Sequence, residues 1–375
     1  MTSAATDVVA FLSKYSNEKK NNIIYGTSHG TALVERLMHL KPPNVIGYAL
    51  DGIATSSGSL EGDVEYMSTW DIDNGEVGDR FLALCKHDRE YRTRFKKKIL
   101  ALTLRNLYMV FDKNPNSTCA AMVNYIQSPS INTGEKPSCA LRRALGTMLS
   151  DSTLRTFIPP IVYRLHRCRQ KDIDLLPQFF NTFIGIRFGS LTAHTTTQDT
   201  VYISTLLYSL ITFSEMWEAP APSMAKMTKR FTDAIFSDSG LYATNPLYCA
   251  FSKEKSPTCN KFGLGNYDAN PIIYDRDEFW NKRATIPKDA SVLLLSSKLD
   301  PQTPHKYAEY LIEALRGENK ELVTFEYAHH GLLESTQLIS GDMYSETCGM
   351  KLFASYVKNK GKLEKMDKSC VDEMP

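Results

Sequence analysis

One stretch constrains the fold of this chain more than any other: Ile23-Ile24-Tyr25-Gly26-Thr27-Ser28-His29-Gly30-Thr31-Ala32. It reads as a short apolar strand running through Gly-x-Ser-x-Gly into a helix, the layout of a nucleophile elbow. The strand is expected to end at Tyr25 and the helix to begin after His29, with the Ser28 hydroxyl lifted above the sheet on the turn between them. Gly26 and Gly30 are expected where backbone segments come too close for a Cβ. The N–H of His29 falls at a helix start, where donors are unpaired and the dipole favours negative charge, so it is the candidate oxyanion-hole donor. Gly-x-Ser-x-Gly alone is a loose pattern that also arises by chance. Its context is specific, because Ala32 to Leu40 repeats apolar residues at helical spacing and Val45 to Leu50 is a second apolar run ending at Asp51-Gly52. Strand, turn, helix and strand make one βαβ unit.

Chain length and composition narrow the class. At 375 residues the chain exceeds one ordinary domain, so a core with a large insertion or a second domain is expected. Hydrophobic residues at 42 % and charged residues at 23 % are those of a globular protein, and a net charge of +2 without a clustered basic face offers nothing to nucleic acid. No apolar run reaches bilayer length, and Met1 to Asp7 shows no basic n-region followed by an apolar h-region. The eight cysteines point elsewhere. Six form sequence-near pairs, Cys119 with Cys139, Cys249 with Cys259 and Cys348 with Cys370, while Cys85 and Cys168 either pair or stay free. Such loop cysteines suit disulfides in an oxidising compartment, and the sequon Asn116-Ser117-Thr118 points the same way. An extracellular or secretory location is therefore expected, with reduced cytosolic thiols as the alternative. No Cys-x-x-Cys or other metal-site spacing occurs, and neither metal nor cofactor is expected.

Read in order, Asp7 to Tyr15 is an amphipathic helix and Ser16 to Asn22 a polar loop. Beyond Gly52 a long helix-rich region runs to about Trp280, interrupted by polar loops at Asn114–Thr118, Ser128–Lys136 and Ala219–Ser223. The α/β pattern resumes at the apolar strand Ser291 to Ser296. Thr303-Pro304 has the form of an N-cap and first helical position, Leu322 to Tyr327 is a further strand, and a last helix is expected within Tyr344 to Val357. The domain expectation is a sheet core over residues 1–54 and 286–375, interrupted by a helical cap over residues 55–285.

Asp300 follows one strand, His330 follows the next, and Ser28 follows an earlier one. The carboxyl ends of parallel strands share one edge of a sheet, so these three residues are expected to converge. The chemistry needs each type. Serine is a weak nucleophile until a base takes its proton, histidine accepts and returns a proton near neutrality, and a carboxylate fixes the imidazole tautomer and stabilises its charged form. Asp51 is the rival acid and His329 the rival base; His330 is preferred because Gly331 gives its loop room.

These segments, Tyr25-Gly26-Thr27-Ser28-His29-Gly30-Thr31, Ala49-Leu50-Asp51-Gly52, Leu293 through Asp300-Pro301-Gln302-Thr303-Pro304, and Ala328-His329-His330-Gly331, resemble the α/β-hydrolase serine peptidases of the tripeptidyl-aminopeptidase and prolyl-iminopeptidase type. The Asp-Pro-x-Thr-Pro stretch and the cysteine-bearing C-terminal tail carry most of the likeness, which covers both ends of the chain and the cap only loosely. The resemblance implies release of short pieces from the N-termini of peptide substrates through an acyl-enzyme on Ser28, without metal or organic cofactor. It also implies acidic cap residues that hold the substrate's free amine, for which Glu215, with Trp217 walling the pocket, is the candidate. The family places several strands before its nucleophile strand, and here about 22 residues precede it. The expectation is a partial α/β-hydrolase sheet in an N-terminally truncated sequence. The alternatives are an esterase or lipase on the same fold, or a non-catalytic remnant.

Overall fold

The computed structural model describes residues 1–16, 21–59, 64–86, 88–95, 99–124, 126, 135–192, 204–264, 269–339, 341–342 and 344–374. Part of the polar loop after Ser16 and most of the expected loop Ser128–Lys136 lie outside them. The chain divides into two compact units, one of residues 1–69, 211–218 and 271–375, the other of residues 70–210 and 219–270.

The first unit opens with helix α1 (Thr2–Tyr15), strand β1 (Asn22–Thr27), helix α2 (His29–Leu40) and strand β2 (Val45–Asp51). The second contains α3 (Trp70–Cys85), α4 (Arg89–Arg94), α5 (Leu100–Lys113), α6 (Thr118–Asn124), α7 (Pro137–Leu149), α8 (Ile158–Arg167) and α9 (Gln170–Thr192). Helix α10 (Thr205–Glu215) follows, then α11 (Met224–Asp233) and α12 (Asn245–Ser252). The sheet resumes with β3 (Ser291–Ser297), α13 (His305–Ala314), β4 (Lys320–Phe325), α14 (Leu332–Ser335), α15 (Cys348–Lys358) and α16 (Ser369–Asp372).

The strands form one parallel sheet in the order β1-β2-β3-β4, with Thr27 opposite Asp51, Asp51 opposite Leu295 and Leu295 opposite Val323. All four carboxyl ends therefore lie along one edge. Successive strand residues face opposite sides of a sheet. Tyr48, Leu50, Val292 and Leu294 bury one face against Val34 and Met38 of α2 and Ala308 and Leu311 of α13. Ala49, Leu293 and Leu295 bury the other against Leu332 of α14 and Leu352 and Tyr356 of α15. Each such fully buried aliphatic side chain contributes about 2 kcal/mol, and both faces must be covered because a parallel sheet leaves neither to solvent.

Three disulfides form: Cys119–Cys168, Cys249–Cys259 and Cys348–Cys370. Cys119 takes the distant Cys168 rather than the sequence-near Cys139, and Cys139 and Cys85 are free thiols. The start of α6 carries Cys119 and the turn ending α8 carries Cys168, so helix packing in the second unit, not chain proximity, sets this pairing. Among the described residues no helix is long and apolar enough to cross a membrane.

Candidate active site

The turn at the end of β1 has an unusual backbone. Ser28, the N-cap of α2, has φ 55° and ψ −131°, a conformation that residues with a side chain rarely adopt and that clusters at functional sites. The strand runs to Thr27 and the helix begins at His29, tighter than expected. A Cβ on Gly26 would stand 2.5 Å from the Gly30 carbonyl oxygen and 2.6 Å from Val34 Cγ2, so this close approach requires glycine. Gly30 differs from expectation, because no described atom lies within 4 Å of a Cβ built there. The Ser28 N–H donates to the Asp51 carbonyl at 2.9 Å, which carries the β1–β2 ladder one step past the strand end. Thr31 Oγ1 donates to the Ser28 carbonyl at 2.6 Å.

Asp300 is fully buried just past β3. Its Oδ1 accepts the N–H groups of Gln302 at 2.9 Å and Thr303 at 3.1 Å. Its Oδ2 accepts the Thr303 hydroxyl at 2.6 Å and His330 Nδ1 at 2.8 Å. Thr303 thus spends its hydroxyl on Asp300 rather than on capping α13, whose N-cap is Pro304, one residue later than the sequence pattern predicts. Because the carboxylate only accepts here, Nδ1 of His330 is the donor, which leaves Nε2 as the proton-accepting nitrogen. Burial pushes the imidazole pKa down, but the hydrogen bond and charge of Asp300, helped by the charge of Asp51, outweigh it and hold the pKa above the usual value. His329 stands beside it with its carbonyl bonded to Ser335 Oγ at 2.7 Å, and it is His330 that meets Asp300.

The imidazole reaches back across the sheet. Gly52, just past β2 with φ +64°, has no Cβ; one built there would stand 2.9 Å from His330 Cε1 and 2.8 Å from Thr303 Oγ1. His330 therefore covers the residue after Asp51, and the Asp51 carbonyl is the one that anchors Ser28. The Asp51 side chain has another task. Its Oδ1 accepts Leu332 N–H at 2.8 Å, and its Oδ2 accepts Leu333 N–H at 3.0 Å and Tyr25 Oη at 2.9 Å. It ties the loop that carries His330 to the end of β2. Burial pushes the Asp51 carboxyl up, against the pull of those donors. No local sequence signal marks this role, because Leu332 and Leu333 lie some 280 residues away.

His29 begins α2, so its N–H has no acceptor within the helix. Its Nε2 is buried without a hydrogen-bond partner among the described residues, and burial holds its pKa low although Glu215 pulls it up. Glu215 and Trp217 belong to the sheet-containing unit, not to the helical one. Glu215 Oε1 accepts Tyr274 Oη at 3.0 Å and lies 3.3 Å from the Met1 ammonium, while Oε2 lies 3.6 Å from Arg36 Nη2. Trp217 is 1 % exposed and packs edge-to-face on Phe213 at 5.2 Å. Among the described residues no three His, Cys, Asp or Glu side chains gather as a metal site.

Comparison with known proteins bears on the C-terminal part. No curated protein matches the chain. Residues 275–370 match the family model of the TAP-like proteins, an α/β-hydrolase domain. That stretch contains Asp300, His330 and the Cys348–Cys370 bridge, and Ser28 lies outside it. Over residues 275–370, then, the chain is similar to the TAP-like α/β-hydrolases, and its parallel sheet flanked by helices is an α/β fold.

Proposed function

We propose that the protein is a serine hydrolase, a peptidase that cleaves short pieces from the N-termini of peptide substrates. The observation that carries this reading is the placement of the His330–Asp300 pair over Gly52, beside the carbonyl that anchors the strained Ser28. In this mechanism Ser28 Oγ attacks the scissile carbonyl while His330 Nε2 takes its proton. Asp300 stabilises the resulting imidazolium, and the His29 N–H receives the developing oxyanion. His330 then returns the proton to the leaving amine, and water deacylates the serine by the same path. No metal or cofactor enters this sequence.

Glu215, backed by the buried Trp217, is the proposed acceptor for the substrate ammonium. Its carboxylate is buried and already faces the Arg36 guanidinium at 3.6 Å and the Tyr274 hydroxyl at 3.0 Å, which supports that chemistry, since a buried carboxylate needs a cationic partner. The helical residues between β2 and β3 are proposed to act as a cap on this core. Three disulfides and an exposed Asn116 in the sequon support a secretory route. The test is a panel of peptidyl-coumarin substrates, with free or acetylated N-termini, set against p-nitrophenyl esters. Turnover of free-amine peptides supports the reading. Turnover of esters alone assigns an esterase instead.

A further inference from the structure

Two staples fasten the segment after β2 to the helix after Ser28. In the first, Thr31 Oγ1 bonds the Ser28 carbonyl at 2.6 Å and accepts the Ala54 N–H at 2.9 Å. In the second, one turn further along the same helix face, Glu35 Oε2 accepts the Thr55 hydroxyl at 3.0 Å. Thr55 Oγ1 in turn accepts the Ser57 N–H at 3.0 Å, and Ser57 Oγ joins the Lys282 carbonyl at 3.2 Å and the Ala284 N–H at 2.9 Å. Adjacent residues 54 and 55 are thus held by successive turns of α2, the first of which carries the nucleophile elbow.

Glu35 is only 5 % exposed, and its Oε1 is buried with no hydrogen-bond partner among the described residues. It lines a small cavity, about 20 Å³, that is also faced by Arg36 and His39 of α2, by Glu65, Glu215 and Lys282, and by Met1. Among the described residues none of these cations forms an ion pair with Glu35. The Arg36 guanidinium pairs with Asp277, with Thr2 at 2.8 Å and with Glu215, and His39 Nε2 meets the Lys282 carbonyl at 3.1 Å. An ionised carboxylate with one oxygen buried and unpartnered is disfavoured far more strongly than the uncharged acid.

We propose that Glu35, in its uncharged form, is a positioning residue for Ser28: it clamps the 54–57 segment to α2 and so stiffens the turn on which the nucleophile sits. The proposal rests on the reading of Ser28 as nucleophile given above. Burial pushes the Glu35 carboxyl up to about 8, against the pull of Thr55, Ser57 and Arg36, so the clamp loses its proton in mildly alkaline solution. The sign for stability follows. An acid whose folded-state pKa is raised binds its proton more tightly in the folded chain, so stability falls with pH from the unfolded-state value of 4.5 up to about 8 and is level above it.

The test compares the whole protein with Glu35→Gln and Glu35→Ala, reading the rate of Ser28 phosphonylation by a fluorophosphonate across pH and the melting temperature across the same range. Wild type is expected to label more slowly as pH passes about 8. Glu35→Gln, which keeps the acceptor for Thr55 without a charge, is expected to label at a level rate there. Glu35→Ala is expected to label roughly tenfold more slowly at every pH, the size of one lost buried hydrogen bond. The melting temperature of Glu35→Gln should gain on wild type up to about pH 8 and then hold a constant lead. A glutamine variant that keeps the wild-type alkaline decline, or that labels as slowly as the alanine variant, overturns the proposal. So does a melting difference independent of pH, a result that stands even where no form of the protein is labelled and the nucleophile reading itself has failed.

Discussion

Nδ1 of His330 stands 2.8 Å from Oδ2 of Asp300, and Thr303 donates to the same oxygen at 2.6 Å. The acid is fully buried and its other oxygen is held by two backbone N–H groups, so the imidazole tautomer is fixed from below. Asp300→Asn keeps the shape and turns one acceptor into a donor. By the size of the equivalent effect in serine proteases, kcat should fall by roughly ten-thousandfold, with KM little changed and the fold intact by circular dichroism. A loss below tenfold would remove Asp300 from the mechanism.

With His330 as the proposed base, its raised pKa fixes the expected pH dependence. The base must be neutral to act, so kcat/KM should rise with pH along an acid limb centred above the usual 6.5. The sign for stability is opposite. A histidine raised in the folded state contributes stability fully below its unfolded pKa and loses it as pH climbs through the folded value. Thermal melts of wild type and His330→Gln across that window should converge as pH rises.

Asp51 acts on the same group from a different place. Asp51→Asn removes a negative charge that supports protonated His330 and leaves a buried N–H of Leu332 or Leu333 facing an amide donor. Stability should drop by about 1–3 kcal/mol. The acid limb of kcat/KM should move to lower pH, a shift that loosened packing alone does not produce.

Gly26→Ala places a methyl 2.5 Å from the Gly30 carbonyl, a contact that the backbone can relieve only by opening the elbow. The expected cost is about 1–3 kcal/mol of stability with a fall in kcat. Gly30→Ala, with open space at that position, should melt within about 1 kcal/mol of wild type.

The Cys348–Cys370 bridge closes a short loop from α15 to α16. Its removal by paired serine substitutions should cost about 3 kcal/mol, read as a lower denaturation midpoint.

The sequence exposes what depends on local pattern. Ser28 is readable because a strand, two glycines and an amphipathic helix surround it, and Asp300 and His330 because each follows an apolar strand. What depends on distant contacts was hidden. Asp51 looks like a turn residue, and only the fold brings Leu332, Leu333 and Tyr25 to its carboxylate. Thr303 looks like a helix cap until Asp300 claims its hydroxyl. Cys119 has a nearer cysteine in sequence than the one it bonds. Glu215 and Trp217 sit in a helical stretch of sequence, yet Glu215 pairs with Arg36 and Tyr274 and both belong to the sheet-containing unit. Glu35 gave no signal, since one carboxylate on a helix reads as a solvated face until its burial is seen.

The account turns on Ser28 being activated by His330. Its most direct measurement is peptide mapping by mass spectrometry after treatment with a fluorophosphonate, in wild type, Ser28→Ala and His330→Ala. The account predicts one adduct, on Ser28, absent from Ser28→Ala and formed at least a hundredfold more slowly in His330→Ala, the scale of a lost general base. An adduct on another residue, or labelling of Ser28 at an undiminished rate without the imidazole, would contradict it.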